Sequence, residues 1–318
     1  MEHFLILALS LLAVIQSANL AAKYAEKLAE SFKLSRHVVG FIIVSLISIL
    51  PEAMIAINAA FHGQPSFGVG TIFGSNVADL TLIFALITFV AGRKGLRVEK
   101  TLAKKLLAYP LFLAIPLILG LDGSYTRAEG LTMLVVGLIF YIYVFNKSIN
   151  ISGRRDPDSK YRWRNTGILL VSLALLLVGA YFSVESATDL ARLIGVSPVL
   201  IGILIIGLGT TIPEGMFAYK AVRNRKTSLA VGDIMGTVLA DATVVIGLVS
   251  VIQPFDFPAR IAYIAGAFMV LSSIMLVIFI KTNYQIRRRE AIVLILAWLA
   301  YILAEIFVSD LPVMALFQ

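Results

Sequence analysis

Long apolar runs interrupted by a few charged residues set the pattern of this chain. They fall near 4–22, 37–61, 67–92, 104–121, 128–146, 166–184, 197–219, 228–252, 259–280 and 290–309. Most approach or exceed the ~20 residues that carry a helix across a bilayer. Their polar positions lack the three-to-four-residue recurrence of a wetted helix face. The pattern predicts an all-α membrane protein of about ten transmembrane helices. The longest polar connection, NKSINISGRRDPDSKYRWRN at 146–165, stands midway. The expected division is a first five-helix repeat over 1–148, a cytoplasmic linker over 149–165 and a second five-helix repeat over 166–318. The first run lacks a basic leader and a cleavage pattern, so it reads as a span, not a signal peptide.

The two halves repeat. Residues 35–88 slid by 162 onto 197–250 give 18 identities in 54 gap-free positions. Pro51 and Glu52 meet Pro213 and Glu214; Gly70, Gly74 and Asp79 meet Gly232, Gly236 and Asp241. A five-span unit is odd, so its second copy enters the membrane upside down. Inverted repeats of this kind characterise secondary transporters.

Charge supplies the orientation. Of the 27 Lys and Arg, all but Arg127, Arg192 and Arg260 fall on connections 1–2, 3–4, 5–6, 7–8 and 9–10. That bias predicts a multi-pass protein of the cell (plasma) membrane with both termini extracytoplasmic. It also accounts for the net charge of +8 without nucleic acid. A mean hydropathy of +0.92 with 14% charged residues argues against a soluble domain. With no cysteine, disulfides and thiol chemistry are excluded.

The doubled residues carry the chemistry. Pro51 and Pro213 have no N–H, so the carbonyls of Ile47 and Gly209 lose their helical partners. Free carbonyls at membrane depth need protein, water or an ion to satisfy them. Glu52 and Glu214 follow directly, and an intramembrane carboxylate needs a polar interior and a partner. Hydroxyls stand one turn before each acid: Ser48 before Glu52, Thr210 and Thr211 before Glu214, Ser75 before Asp79, Thr237 before Asp241. Four segments could thus bring carboxylates, hydroxyls and carbonyls to one point, an oxygen set suited to Ca²⁺. Gly70, Gly74, Gly232 and Gly236 would let spans 3 and 8 pack closely on 2 and 7. Asn76 and Asp233 do not recur and stay outside the set. Glu185 and Glu305, near span ends, read as snorkelling.

"SILPEA" with "GVGTIFGSNVADL", and "GTTIPEG" with "AVGDIMGTVLADA", resemble the two alpha-repeats of the sodium/calcium exchanger family, within the calcium/cation antiporter superfamily. The resemblance covers both repeats, in order. It implies discontinuous helices 2, 3, 7 and 8 as a core. It implies an antiporter that exports Ca²⁺ against inward Na⁺ by alternating access, with spans 1 and 6 sliding over the rest. It implies cation ligation by Glu52 and Glu214, surrounded by Ser48, Thr210, Thr211, Ser75, Thr237, Asp79 and Asp241. The chain departs from the family where Ile47-Ser48-Ile49 replaces Gly-Thr-Ser, so that Ile49 stands where a residue helps to bind Na⁺. It departs again where Asp79 replaces a frequent Asn, and where Gly70-Thr71 and Gly232-Asp233 replace Gly-Asn.

An extra acid and fewer neutral ligands keep a Ca²⁺/H⁺ antiporter as the alternative, since close like charges favour shared protons. A K⁺ requirement or another divalent cargo belongs to the same group. An intramembrane aspartyl protease using Asp79 and Asp241 would leave the doubled Pro-Glu unexplained, and "NVADL" and "VLADA" lack such enzymes' signatures. A channel would need longer polar stripes. The expectation is therefore a transporter with no cofactor, whose partners are cations and lipid and which needs no obligatory protein partner.

Overall fold

The computed structural model describes residues 2–31, 49–145 and 159–310. They form ten helices and four two-residue strands. The helices are α1 (Glu2–Ser31), α2 (Leu50–Phe61), α3 (Pro65–Val90), α4 (100–119), α5 (Arg127–Phe145), α6 (Ser159–Ile194), α7 (Pro198–Arg223), α8 (Thr227–Ile252), α9 (262–283) and α10 (Arg288–Asp310). Eight are long and apolar enough to cross a membrane. α5, with 19 residues, is about 28 Å long at ~1.5 Å per residue, and α2 completes the set. The chain is the all-α membrane protein that its apolar runs predict. Two helices outrun those runs. α1 continues to Ser31, and α6 has 36 residues and starts inside the stretch expected as linker. Hydropathy marks where lipid ends, whereas helical hydrogen bonding continues into water.

Four strands stitch the repeats together. β1 (Leu96–Arg97) pairs antiparallel with β4 (Gln285–Ile286), and β2 (Ser124–Tyr125) with β3 (Phe255–Asp256). The Val98 N–H extends the first pair to the Tyr284 carbonyl at 2.8 Å; the Phe257 N–H extends the second to that of Gly123 at 2.7 Å. Connections 3–4 and 9–10 therefore share one face, and 4–5 and 8–9 the other. Turning the first repeat over maps each pair onto the other, as an inverted repeat requires. Finer features recur as well. Glu129 accepts from the Thr126 N–H at 2.8 Å at the start of α5, and Glu290 from that of Arg287 at 2.6 Å at the start of α10. Tyr109 stacks edge-on to Phe140 at 5.7 Å between α4 and α5, and Phe268 lies 5.4 Å from Tyr301 between α9 and α10.

α3 and α8 are the innermost helices: 83% of the most apolar stretch of each is buried, against 22% for α10. Small residues bring backbones together there. A Cβ on Gly74 of α3 would stand 3.0 Å from both the Cα and the carbonyl oxygen of Ile203 in α7, so a side chain there would push the α7 backbone back by a few tenths of an ångström. π turns interrupt the regular hydrogen-bond ladder at Asp79–Ile83 in α3, Asp241–Val245 in α8, Gly202–Ile206 in α7 and Ala262–Gly266 in α9, while the helices run on. A π turn widens the helix and loosens its carbonyls from the regular ladder. In α3 and α8 a threonine answers one loosened carbonyl: Thr81 donates to Val77 at 2.5 Å and Thr243 to Leu239 at 2.6 Å. Pro213 lies inside α7 without ending it, and Pro51 occupies the first turn of α2.

α1 and α6 lie side by side on one flank. Ser183 of α6 donates to Ser10 of α1 at 3.0 Å, and Val14 of α1 fills the space a side chain at Gly179 would need. Outward-facing leucines such as Leu5, Leu9, Leu170 and Leu175 are exposed, as lipid-facing positions of a membrane helix are.

Candidate functional site

The π turns of α3 and α8 begin on Asp79 and Asp241, so each carboxyl leaves its helix where the backbone widens. Glu52 leaves the first turn of α2 and Glu214 follows the proline of α7. All four are buried, exposed by 1% (Glu52, Asp79 and Asp241) and 4% (Glu214). They share one region. Asp79 and Glu214 approach one another, Glu52 lies within electrostatic reach of Asp79, Glu214 and Asp241, and the Thr210 hydroxyl faces Glu52. With the carboxyls ionised, Asp79 and Glu214 have no donor between them, and only a shared proton or a cation would join them. Both oxygens of Glu52, Asp79 and Glu214, and one of Asp241, are buried without a partner.

Such orphaned oxygens are costly. A buried polar atom with no partner loses about 1–3 kcal/mol, and a charged one more. Here they stand together, and the hydroxyls beside them present lone pairs. Thr210 and Thr211 both donate to the Gly207 carbonyl, at 3.2 and 2.8 Å, and Ser75 donates to Ile72 at 3.0 Å. With its proton so committed, a hydroxyl oxygen is left to accept. The Thr237 oxygen has no partner. The Gly209 carbonyl has only Pro213 four residues on, hence no N–H to accept from. Leu11 of α1 lies against Gly209, where an added Cβ would clash with its Cδ2. The collection is all acceptor and all oxygen, and no Lys or Arg among the described residues pairs with it. It suits a hard cation.

Two details differ from the sequence reading. The acids share a region but do not meet at one point: among the described residues no three acidic or imidazole groups are close enough to hold one metal ion. Two carboxylates with hydroxyls and carbonyls are therefore the most that one cation would gather there. Glu305 does not snorkel. It is buried at 3% exposure one turn from Tyr301, with Arg260 its nearest opposite charge, whereas Glu185 is exposed. Ile47 and Ser48 lie outside the described residues.

Sequence reasoning set aside two residues that sit in this region. Asn76 donates to the Val238 carbonyl at 3.2 Å and to the Met269 sulfur at 3.5 Å. Val238 is its own counterpart in the second repeat, so Asn76 lies where the two copies meet. Asp233 is buried with one oxygen unpartnered, within electrostatic reach of Asp79. The available signal was spacing: Asp233, Thr237 and Asp241 follow one another every four residues.

Known proteins bear on this arrangement. The profile of the family described as "Sodium/calcium exchanger protein" matches residues 2–146 and 164–307. The chain belongs to the sodium/calcium exchanger family. It is thus a transporter of a cation-exchanging family and not an enzyme. Among its relatives in that family, the "Sodium/calcium exchanger MaX1" of Methanosarcina acetivorans is 23% identical, over 96% of this chain and 99% of that protein. The "Inner membrane protein YrbG" of Escherichia coli is 28% identical, over 78% and 79%. Two solved exchangers share the fold. An "H+/Ca2+ Exchanger CAX" superposes with a TM-score of 0.76 at 18% identity, over 95% of this chain and 82% of that one. The sodium-calcium exchanger NCX_Mj superposes with a TM-score of 0.67 at 22% identity, over 95% and 98%.

Proposed function

We propose that this family member is a secondary antiporter that exports Ca²⁺ in exchange for Na⁺ by alternating access. The observation that carries the reading is the doubled set of buried, unpartnered oxygens around Glu52 and Glu214. Two carboxylates neutralise one Ca²⁺, or hold Na⁺ with charge to spare. Leaving them bare at membrane depth costs energy, which disfavours crossing without cargo and so couples the two fluxes. Glu52 and Glu214 ligate the ion in this reading. Ser75, Thr210, Thr211, Thr237 and the Gly209 carbonyl complete the shell, Asp79 and Asp241 stand around it without joining the same ion, and Ser48 and Ile47 supply the matching positions of span 2. The positive-inside bias supports an orientation with both termini outside, in a plasma-membrane protein. α1 and α6, tied to each other, are the elements that move.

A second reading, Ca²⁺/H⁺ exchange, is favoured by one observation: acids stand at 79 and 233, where the related alpha-repeats often have Asn. One experiment decides between them. Purified protein in liposomes is given an outward Na⁺ gradient at uniform pH, or a pH gradient in Na⁺-free buffer, and ⁴⁵Ca²⁺ uptake is followed. Uptake driven by Na⁺ alone supports the first reading and uptake driven only by the pH gradient the second. Absence of both from folded protein refutes Ca²⁺ antiport.

A further inference from the structure

α8 carries a line of unpartnered oxygens that α3 lacks. Asp233, Thr237 and Asp241 stand every four residues, on nearly one face, over about 12 Å of helix. Each has a buried oxygen with no partner. The matching line on α3 is Thr71, Ser75 and Asp79. There Thr71 donates to Phe67 at 2.9 Å and Ser75 to Ile72 at 3.0 Å, so only the final acid is unpartnered. The repeats therefore agree at the centre and differ on the way out.

The difference has a side. Asp233 sits in the second turn of α8, just past the basic end of α7 (Lys220, Arg223) and the connection that follows it (Arg225, Lys226); Thr71 lies in the second turn of α3, which starts from the opposite face. Two phenols bond the backbone of the next turn. Tyr109 donates to the Met235 carbonyl at 2.8 Å and Tyr141 to that of Gly236 at 3.1 Å, and Asp233 lies within electrostatic reach of Tyr141. One Asp233 oxygen, Oδ2, is buried with no partner and is free to accept from a cation. Basic loops repel cations at that face, and a carboxylate inside it restores attraction at short range, where salt screens little.

We propose that Asp233 is a second cation position, between the central carboxyls and the basic face, to which Thr237 gives passage. It makes the two faces of the exchanger chemically unequal: a divalent cation arriving from the basic face meets an acid before the centre, and one arriving from the other face does not. The inference rests on the cation-exchange reading above.

Sided flux and binding together test it. Half-saturating Ca²⁺ is measured at each face in vesicles of known orientation, and ⁴⁵Ca²⁺ binding is measured on the same proteins in detergent. Asp233→Thr installs the counterpart's residue; Thr71→Asp does the reverse. The first should raise half-saturating Ca²⁺ at the basic face about tenfold, the loss of about 1.4 kcal/mol, with the other face unchanged. The second should tighten the other face. Wild-type binding should show two components, one lost with Asp233→Thr and the other with Glu52→Gln and Glu214→Gln. If Asp233→Thr does not fold, Asp233→Asn, of nearly the same shape, decides. An unchanged basic face, equal shifts at both faces, or a single component insensitive to Asp233 overturns the proposal. Exchange that survives Glu52→Gln and Glu214→Gln overturns the central site instead, whatever Asp233 does.

Discussion

Replacing Glu214 by Gln keeps the shape and removes one charge, and its cost follows from burial. Unit charges ~4 Å apart attract by about 4 kcal/mol at the effective dielectric of a protein interior, and a divalent ion doubles that to about 8. The carboxylate's own desolvation, relieved in the variant, and the amide oxygen that replaces it return roughly half. About 4 kcal/mol remains, or about three decades in Ca²⁺ affinity. The same burial predicts an opposite effect without cargo. Both Glu214 oxygens are unpartnered, so the ion-free variant should melt a few degrees above wild type. Thermal unfolding with and without Ca²⁺, beside ⁴⁵Ca²⁺ uptake, reads both effects. Wild type at about 1,000 times its Kd should gain about 4 kcal/mol from the ion, and the variant almost none. A Glu214→Gln protein that keeps the Ca²⁺-dependent rise in melting temperature, or keeps exchange, would refute the reasoning.

Gly209→Ala forces a Cβ into Leu11 of α1 and should slow exchange by tenfold or so; adding Leu11→Ala reopens that space and should restore much of the rate, as initial ⁴⁵Ca²⁺ uptake would show. A Val in place of Gly74 pushes α3 off the α7 backbone at Ile203, and detergent-solubilised protein should lose at least ~2 kcal/mol of stability in a melting assay. Asn76→Ala removes the tie to Val238 where the repeats meet, costing about 1 kcal/mol in the same assay. Glu305→Gln serves as a control: this acid is buried but set apart with Arg260, so exchange rates should stay near wild type.

Span number, inverted repeat and the grouping of connections by face were legible because lipid imposes them on composition. Apolar runs must be long, basic residues stay on one side, and Pro-Glu pairs recur at a fixed offset. What stayed hidden was decided by packing. No proline or glycine marks the π turns at Asp79 and Asp241; the ladder slips there without a local sequence signal, and Thr81 and Thr243 compensate. Pro213 was expected to interrupt its helix, yet α7 continues through it. Glu305 read as a surface residue because hydropathy registers only its distance from a span end, whereas packing encloses it. Asp233 was passed over because symmetry served as the filter, and its distinction is that it breaks the symmetry.

The β1–β4 and β2–β3 stitches carry an implication about ancestry. Each draws one thread from either half, and the pattern is indifferent to which half supplies which thread. Two copies of a single five-helix unit, one inserted head-up and the other head-down, would sew themselves together the same way. Such a forerunner needs a unit with no preferred orientation, and the lopsided lysines and arginines of the present chain forbid that. Joining the halves in one polypeptide would free each to acquire its own charge, and one doorway to differ from the other.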